Sequence, residues 1–223
     1  MDILIEVKNL QYAYETKNNK KVLRNINAQM EQGRMYAILG PSGCGKTTLL
    51  SLLGGLDSPT GGQVLYQGTD IEETGLAKHR RRNVAFIFQS YNLIDYLTPI
   101  ENVALTSKRP ALPVLEKLGL TAEEAGRNVL KLSGGQQQRV AIARALASEA
   151  PIILADEPTG NLDEDTAAEI TAILKEAAHS LGKCVIVVTH SNDLARQADI
   201  IMRLRKGDLQ IVDGSEINGS IGK

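Results

Sequence analysis

Eight consecutive residues, Gly40-Pro41-Ser42-Gly43-Cys44-Gly45-Lys46-Thr47, have the G-x-x-x-x-G-K-[ST] spacing of a phosphate-binding loop. Glycines at these positions let successive backbone N–H groups converge on phosphate oxygens, and a helix starting at the loop adds partial positive charge. Lys46 is then placed to neutralise the outer phosphates, and the Thr47 hydroxyl to ligate Mg²⁺. The alternative, a chance glycine-rich turn, is disfavoured because a strand pattern precedes the loop and a helix pattern follows it.

A second group is Pro151-Ile152-Ile153-Leu154-Ala155-Asp156-Glu157, an apolar strand that ends in two acids. At the carboxyl end of a parallel strand, Asp156 faces the crevice where ligands of such sheets bind and suits Mg²⁺ held through water, while Glu157 can polarise an attacking water. Alone, such an ending would be a solvated turn; downstream of a phosphate loop it supplies the metal side of a nucleotide site. The third group, Leu132 to Val140, is a Ser-Gly-Gly turn opening a helix, and so a second place where backbone N–H groups and a hydroxyl can meet an anion. It can bind another phosphate in the same chain, cap its helix, or complete a nucleotide site on a second copy. Composition does not choose among the three.

These groups need elements to hold them. Met35 to Leu39, Val84 to Phe88, Ile152 to Ala155 and Val185 to Val188 read as buried strands. Lys46 to Leu53, Gly135 to Ala147 and Asp163 to Leu181 read as helices, the last with Asp163 available as its cap. Strands alternating with helices give an α/β fold with a mainly parallel sheet. Ile3 to Val7 and Ile26 to Met30 read as antiparallel strands around a polar turn, Glu15 to Lys21, and predict a mixed sheet at the N-terminal end. From Thr98 to Lys131 short helical pieces replace the strands, around Ile100 to Leu105, Pro113 to Leu118 and Ala122 to Val129.

The 223 residues carry 25 Lys plus Arg against 26 Asp plus Glu, a net charge of −1, which gives no basic excess for nonspecific nucleic-acid binding. Apolar runs have strand length, far short of the roughly 20 residues that cross a bilayer. The N-terminus lacks a secretory pattern, so a cytosolic location is expected. Cys44 and Cys184 lie in unlike contexts and suggest neither a disulfide nor a metal site; both read as packed residues. Arg80-Arg81-Arg82 reads as a solvated helix face, and Tyr66, Tyr91 and Tyr96 as packing residues.

Leu132 to Gln138 matches the signature sequence of ABC-transporter ATPase subunits, and the order of all the motifs resembles that family over essentially the whole chain. The resemblance implies a P-loop NTPase: one ATPase domain over 1–223, with a parallel core sheet, an N-terminal antiparallel β-subdomain and a short helical subdomain at about 98–147. It implies ATP and Mg²⁺ as cofactors, and a homodimer with ATP sandwiched between the phosphate loop of one copy and the signature of the other. Ser133 and Gly135 would then meet the partner's γ-phosphate, with Gly134 and Gln136 beside them. Gly40 to Thr47 and Thr48 would hold the nucleotide of their own chain. Gln89 matches the glutamine that reaches Mg²⁺ and the attacking water and senses the membrane partner, and His190 the histidine that contacts the γ-phosphate. In Asn161-Leu162-Asp163, Asp163 would span the dimer interface while also capping its helix. Tyr14 aligns with the aromatic that stacks on adenine, with Tyr12 as competitor. The implied catalytic set is Glu157, His190, Gln89 and Lys46; the implied metal set is Thr47, Gln89 and Asp156.

Phe88 to Ile94, Leu97-Thr98, Glu101 to Val103 and Pro158 to Asp163 resemble the branch holding lipoprotein-release, macrolide-efflux and peptide-antibiotic ATPases. This implies an integral-membrane permease as partner, a position on the inner face of the cell membrane, amphipathic cargo, and no nucleic acid. From Val103 to Leu132 the helical region is shorter than is usual there. Two other classes are weighed: a regulator that signals through a membrane protein without transport, and an ABC ATPase of DNA or ribosomes. The last is disfavoured because no heptads or Cys pairs lie between Lys46 and Ser133.

Overall fold

Ile152–Asp156 (β7) and Cys184–Thr189 (β8) are buried at every position, as is Met35–Leu39 (β3), the signature of strands covered on both faces. In the computed structural model, which describes residues 2–14, 21–107, 109–160 and 162–214, these strands form the centre of a six-stranded sheet. Val84–Ile87 (β6) lies at one edge; Ile200–Arg205 (β9) and Asp208–Val212 (β10) lie at the other, in the order β10-β9-β3-β8-β7-β6. Only β10 runs antiparallel, joined to β9 by a two-residue turn in which Lys206 (φ 51) and Gly207 (φ 86) are both left-handed. The register pairs Leu39 with Thr189, Asp156 with Val188, and Ile87 with Ala155. All the parallel strands therefore end along one rim, where ligands of such sheets bind.

Alternate residues of these strands face different cores. Tyr36, Ile38, Ile152, Leu154, Ile186 and Val188 pack with Lys46–Leu53 (α1) and a second sheet, while Met35, Ala37, Ile153, Ala155, Val185 and Val187 pack under the helices of the other face. Each buried Ile, Leu or Val contributes about 1.5–3 kcal/mol.

The second sheet is antiparallel, in the order β2-β1-β4-β5, built from Lys21–Glu31 (β2), Ile3–Ala13 (β1), Gly61–Tyr66 (β4) and Thr69–Asp70 (β5). These N-terminal strands form the antiparallel subdomain that the resemblance implied, a sheet of their own with no parallel pair among the described residues, because their alternating pattern has one apolar face to bury. A register shift after Val7, with Asn9 at φ 50, brings both Val7 and Leu10 to that face. Gly62 lies against this bulge with φ +74, and a Cβ there would stand 2.3 Å from the Asn9 carbonyl oxygen. Of the expected turn, residues 15–20 lie outside the described residues.

Ile71–Thr74 (α2) and Leu76–Asn83 (α3) lead into β6. The Arg80 guanidinium donates to the Gly55 carbonyl, so the solvated face expected here is kept only by Arg81 and Arg82. His79 on the same helix is 1% exposed, with Nε2 against the Leu53 carbonyl at 3.1 Å, Nδ1 accepting from Asn83 at 3.2 Å and the Tyr66 ring beside it.

The helical stretch comprises Pro99–Ala104 (α4), Leu112–Lys117 (α5) and Ala122–Gly126 (α6), then a 3-10 turn at Val129–Lys131 and Gly134–Ala147 (α7). Thr98 and Thr121 open α4 and α6 with reciprocal caps to Glu101 and Glu124. Tyr96, expected to pack, is 82% exposed. Glu164–His179 (α8) and Asn192–Gln197 (α9) complete the helical face. Asp163 stands just before α8 and accepts from the Thr166 amide at 2.9 Å. No helix among the described residues is long and apolar enough to cross a membrane.

Candidate active site

The loop from Gly40 to Gly45 turns from β3 into α1 through two left-handed glycines, Gly43 (φ +75) and Gly45 (φ +106). A Cβ on Gly45 would meet Val22 at 2.8 Å, and one on Gly40 would meet the Leu204 carbonyl oxygen at 2.5 Å and Cys44 Sγ at 2.6 Å. At Gly43 a Cβ would meet nothing within 4 Å, so the backbone angle and not space requires glycine there. Lys46 is buried, and its Nζ donates to the carbonyls of Gly40 at 2.7 Å and Pro41 at 3.4 Å, and lies 3.9 Å from Glu157 Oε1. Cys44 is half-buried, and burial raises its thiol above the ordinary range, so it is a poor nucleophile at neutral pH.

Across the rim, Asp156 is buried at the end of β7 and bonded to the Thr47 side chain. Desolvation raises its carboxyl, with the Thr47 bond and Lys46 opposing and Glu157 adding to the rise. Glu157 follows with φ +46, a left-handed angle uncommon away from glycine. Its amide donates to the Val188 carbonyl at 2.9 Å. Its carboxylate accepts from the Thr189 hydroxyl at 3.0 Å and the His190 amide at 3.2 Å, and Oε1 lies 2.9 Å from His190 Nδ1. The end of β8 thus fixes the acid that the end of β7 supplies.

Tyr14, Ser42 to Thr48, Gln89, Asp156, Glu157 and His190 all line one cleft of about 720 Å³. Gly40 and Pro41 shape the loop from below through the Lys46 bonds. Tyr14 is 48% exposed and its hydroxyl lies 2.9 Å from Thr48 Oγ1. Tyr12 is 8% exposed, its hydroxyl donates to Asp57, and its ring stands nearly perpendicular to that of Tyr14 with centroids 5.1 Å apart. Tyr14 is therefore the ring accessible to a ligand. Thr47, Gln89 and Asp156 bring oxygen donors only, which suits a hard cation that completes its shell with phosphate and water. Among the described residues no cluster of three His, Cys, Asp or Glu could bind a metal unaided.

The Ser-Gly-Gly turn stands elsewhere. Ser133, Gly134, Gly135 and Gln136 are not among the residues lining the cleft. Ser133 caps α7 in a reciprocal box, its Oγ accepting from the Gln136 amide at 3.3 Å and its amide donating to Gln136 Oε1 at 2.9 Å. Leu162, ahead of Asp163, lies 3.4 Å from where a Gly135 Cβ would stand; Asn161 is outside the described residues.

Residues 23–160 match the ABC transporter family. The chain belongs to that family. An uncharacterized ABC transporter ATP-binding protein, YclH of Bacillus subtilis, is 42% identical over 218 residues, covering 93% of this chain and 96% of the relative. The lipoprotein-releasing system ATP-binding protein LolD of Syntrophus aciditrophicus is 42% identical, covering 92% of this chain and 98% of that one. The dimeric structure of the ABC transporter cassette MJ0796, a protein of Methanocaldococcus jannaschii, superimposes with a TM-score of 0.87 at 38% identity, covering 95% of this chain and 99% of that one. A second dimeric MJ0796 structure, a post-hydrolysis state bound to ADP and Pi, gives 0.86 at 37% identity.

This ABC ATPase cassette lines its cleft with residues that motif reading did not single out: Lys21, Val22 and Arg24 on β2, and Lys206 and Gly207 in the β9–β10 turn. The Arg24 amide donates to the Gly207 carbonyl at 2.8 Å, so the two sheets close on each other there. The sequence signal for the turn was Lys-Gly between two alternating apolar runs. Thr189, which holds Glu157, carried no signal apart from its place before His190.

Proposed function

We propose that the chain is an ATP-hydrolysing subunit that closes head to tail on a second copy and drives a separate integral-membrane permease. The observation that carries this reading is the division of the site. Phosphate loop, acids, Gln89 and His190 share one cleft, while the exposed α7 N-terminus at Ser133 stands outside it and is available to another copy's cleft. The dimeric form of MJ0796 supports the assembly, and LolD, a lipoprotein-releasing system protein, supports lipid-linked cargo within the wider amphipathic class, peptide, lipid-linked or drug-like, proposed for the permease. The subunit would sit on the inner face of the membrane through its permease.

In this reading Tyr14 stacks on the adenine, and Ser42 to Thr48 direct amides and hydroxyls at the phosphates. Thr47, Gln89 and Asp156 would hold Mg²⁺, which when bound neutralises charge between phosphate oxygens. Glu157 takes the proton of the attacking water, oriented by Thr189 and His190. Lys46 of one copy and Ser133 of the other face the charge that develops on the transferred phosphoryl group. Asp163 meets the partner across the interface.

Glu157→Gln keeps the size of the side chain and removes the base. It is expected to bind ATP, to lose turnover by about 100-fold or more, and to accumulate a dimer by size exclusion. Normal hydrolysis by this variant overturns the assignment. Copurification from membranes with a permease tests the partner.

A further inference from the structure

We propose that Arg144 is a positioning residue that fastens the Gln89 loop to α7, so that Gln89 and Ser133 of one chain move as a single body. The inference rests on the proposed function for the roles of Gln89 and Ser133; the fastening itself rests on geometry.

Gln89 leaves β6 in a tight double turn. The Tyr91 amide donates to the Phe88 carbonyl at 3.0 Å, and the Asn92 amide reaches back two residues to the Ser90 carbonyl at 2.7 Å. Tyr91 (φ 63) and Asn92 (φ 49) are consecutive left-handed residues without glycine. A three-residue turn with a positive central angle is rare and strained, and persists only when its surroundings hold it. The holding group is the Arg144 guanidinium, which donates through Nη1 to the Asn92 carbonyl at 2.7 Å and through Nη2 to the Tyr91 carbonyl at 3.1 Å. A planar fork can take both carbonyls at once, whereas a lysine ammonium is a point donor. Arg144 belongs to α7, the helix that Ser133 caps and Gly134 begins. The loop meets that helix again at its start, where a Cβ on Gly134 would stand 3.1 Å from the Tyr91 hydroxyl. The Thr106 hydroxyl donates to the Arg144 carbonyl at 2.8 Å and ties the end of the α4 segment to the same place.

Gln89 lines the chain's own cleft and Ser133 does not. In a head-to-tail pair the two residues therefore attend to different nucleotides. An arginine that locks one to the helix of the other links the two sites within each subunit.

The test uses the full chain and Arg144→Lys, which keeps the charge and loses the fork. Without nucleotide, hydrogen exchange at the Tyr91 and Asn92 amides is expected to quicken about 10-fold, with the α7 amides and the melting temperature unchanged. Turnover is expected to fall about 10-fold at unchanged ATP affinity, but less than about twofold when Gln89 is already Ala, because the arginine acts through that side chain. Unchanged exchange at both amides overturns the clamp. An equal fall in turnover in both backgrounds overturns action through Gln89. If Arg144→Lys does not fold, Arg144→Gln carries the same expectations. Wild-type turnover by Gln89→Ala itself would overturn the role given to Gln89, and the exchange data would still decide the clamp.

Discussion

Replacing Thr189 by valine separates hydrogen bonding from packing at the centre of the site. Thr189 is fully buried, and its hydroxyl both donates to Glu157 Oε2 at 3.0 Å and accepts from the Ser191 amide at 3.0 Å. Valine fills the same space and suits a buried strand, so packing alone expects little change. The lost bond to a carboxylate that is itself only 11% exposed costs about 1.5–3 kcal/mol, and the stranded Ser191 amide about 1 kcal/mol more. Thr189→Ser keeps both bonds and gives up one methyl, a loss of about 1 kcal/mol. In urea denaturation the valine variant should therefore be the less stable by about 2 kcal/mol, with equal m-values. Glu157 keeps the His190 amide and ring as partners, so turnover should fall by about 10-fold in Thr189→Val and hardly at all in Thr189→Ser. A valine variant as stable as the serine variant would show that the Thr189–Glu157 bond contributes nothing net, and the account of how Glu157 is held would fail.

Other outcomes follow from the same geometry. Gly62→Ala combines a left-handed angle with backbone atoms 2.3–2.4 Å from the new Cβ; a loss of about 3 kcal/mol or more is expected, read as the urea midpoint. Burial holds the His79 imidazole below its ordinary value, with the Leu53 bond opposing and Arg80 assisting. The unfolded chain protonates it near pH 6.5, so stability falls as pH drops below that point, by at most about 1.4 kcal/mol per unit. His79→Gln should flatten this slope between about pH 7 and pH 5; parallel slopes would refute it. Tyr14→Ala should weaken ATP binding about fivefold by calorimetry, with Tyr14→Phe near wild type, since the stacked face contributes on the order of 1 kcal/mol.

What could be read in advance was what repeats along the chain with a fixed spacing. Met35 to Leu39 and Ile152 to Ala155 are apolar without interruption because both faces of the sheet are covered, and the phosphate loop and acids are displayed at their ends. What escaped was set by distant partners. The Gly-rich strand β4 is held by pairing to β1, and β9, one strand in from the β10 edge, alternates arginine with apolar residues. Phe88 reads as strand but leaves the ladder, because Tyr91 and Asn92 turn the chain toward Arg144, a contact across more than 50 residues.

The alternation along β3, β7 and β8 means that no side chain of these strands belongs to both cores. The hydrogen-bonded backbone is then a partition wall. Substitutions under the helices and substitutions under the nucleotide side share no partner, and their free energies should add. The apolar positions under the helices can accordingly be refitted one residue at a time without disturbing the packing behind the wall; Arg144, which reaches round to the Gln89 loop, is the kind of residue this freedom does not extend to.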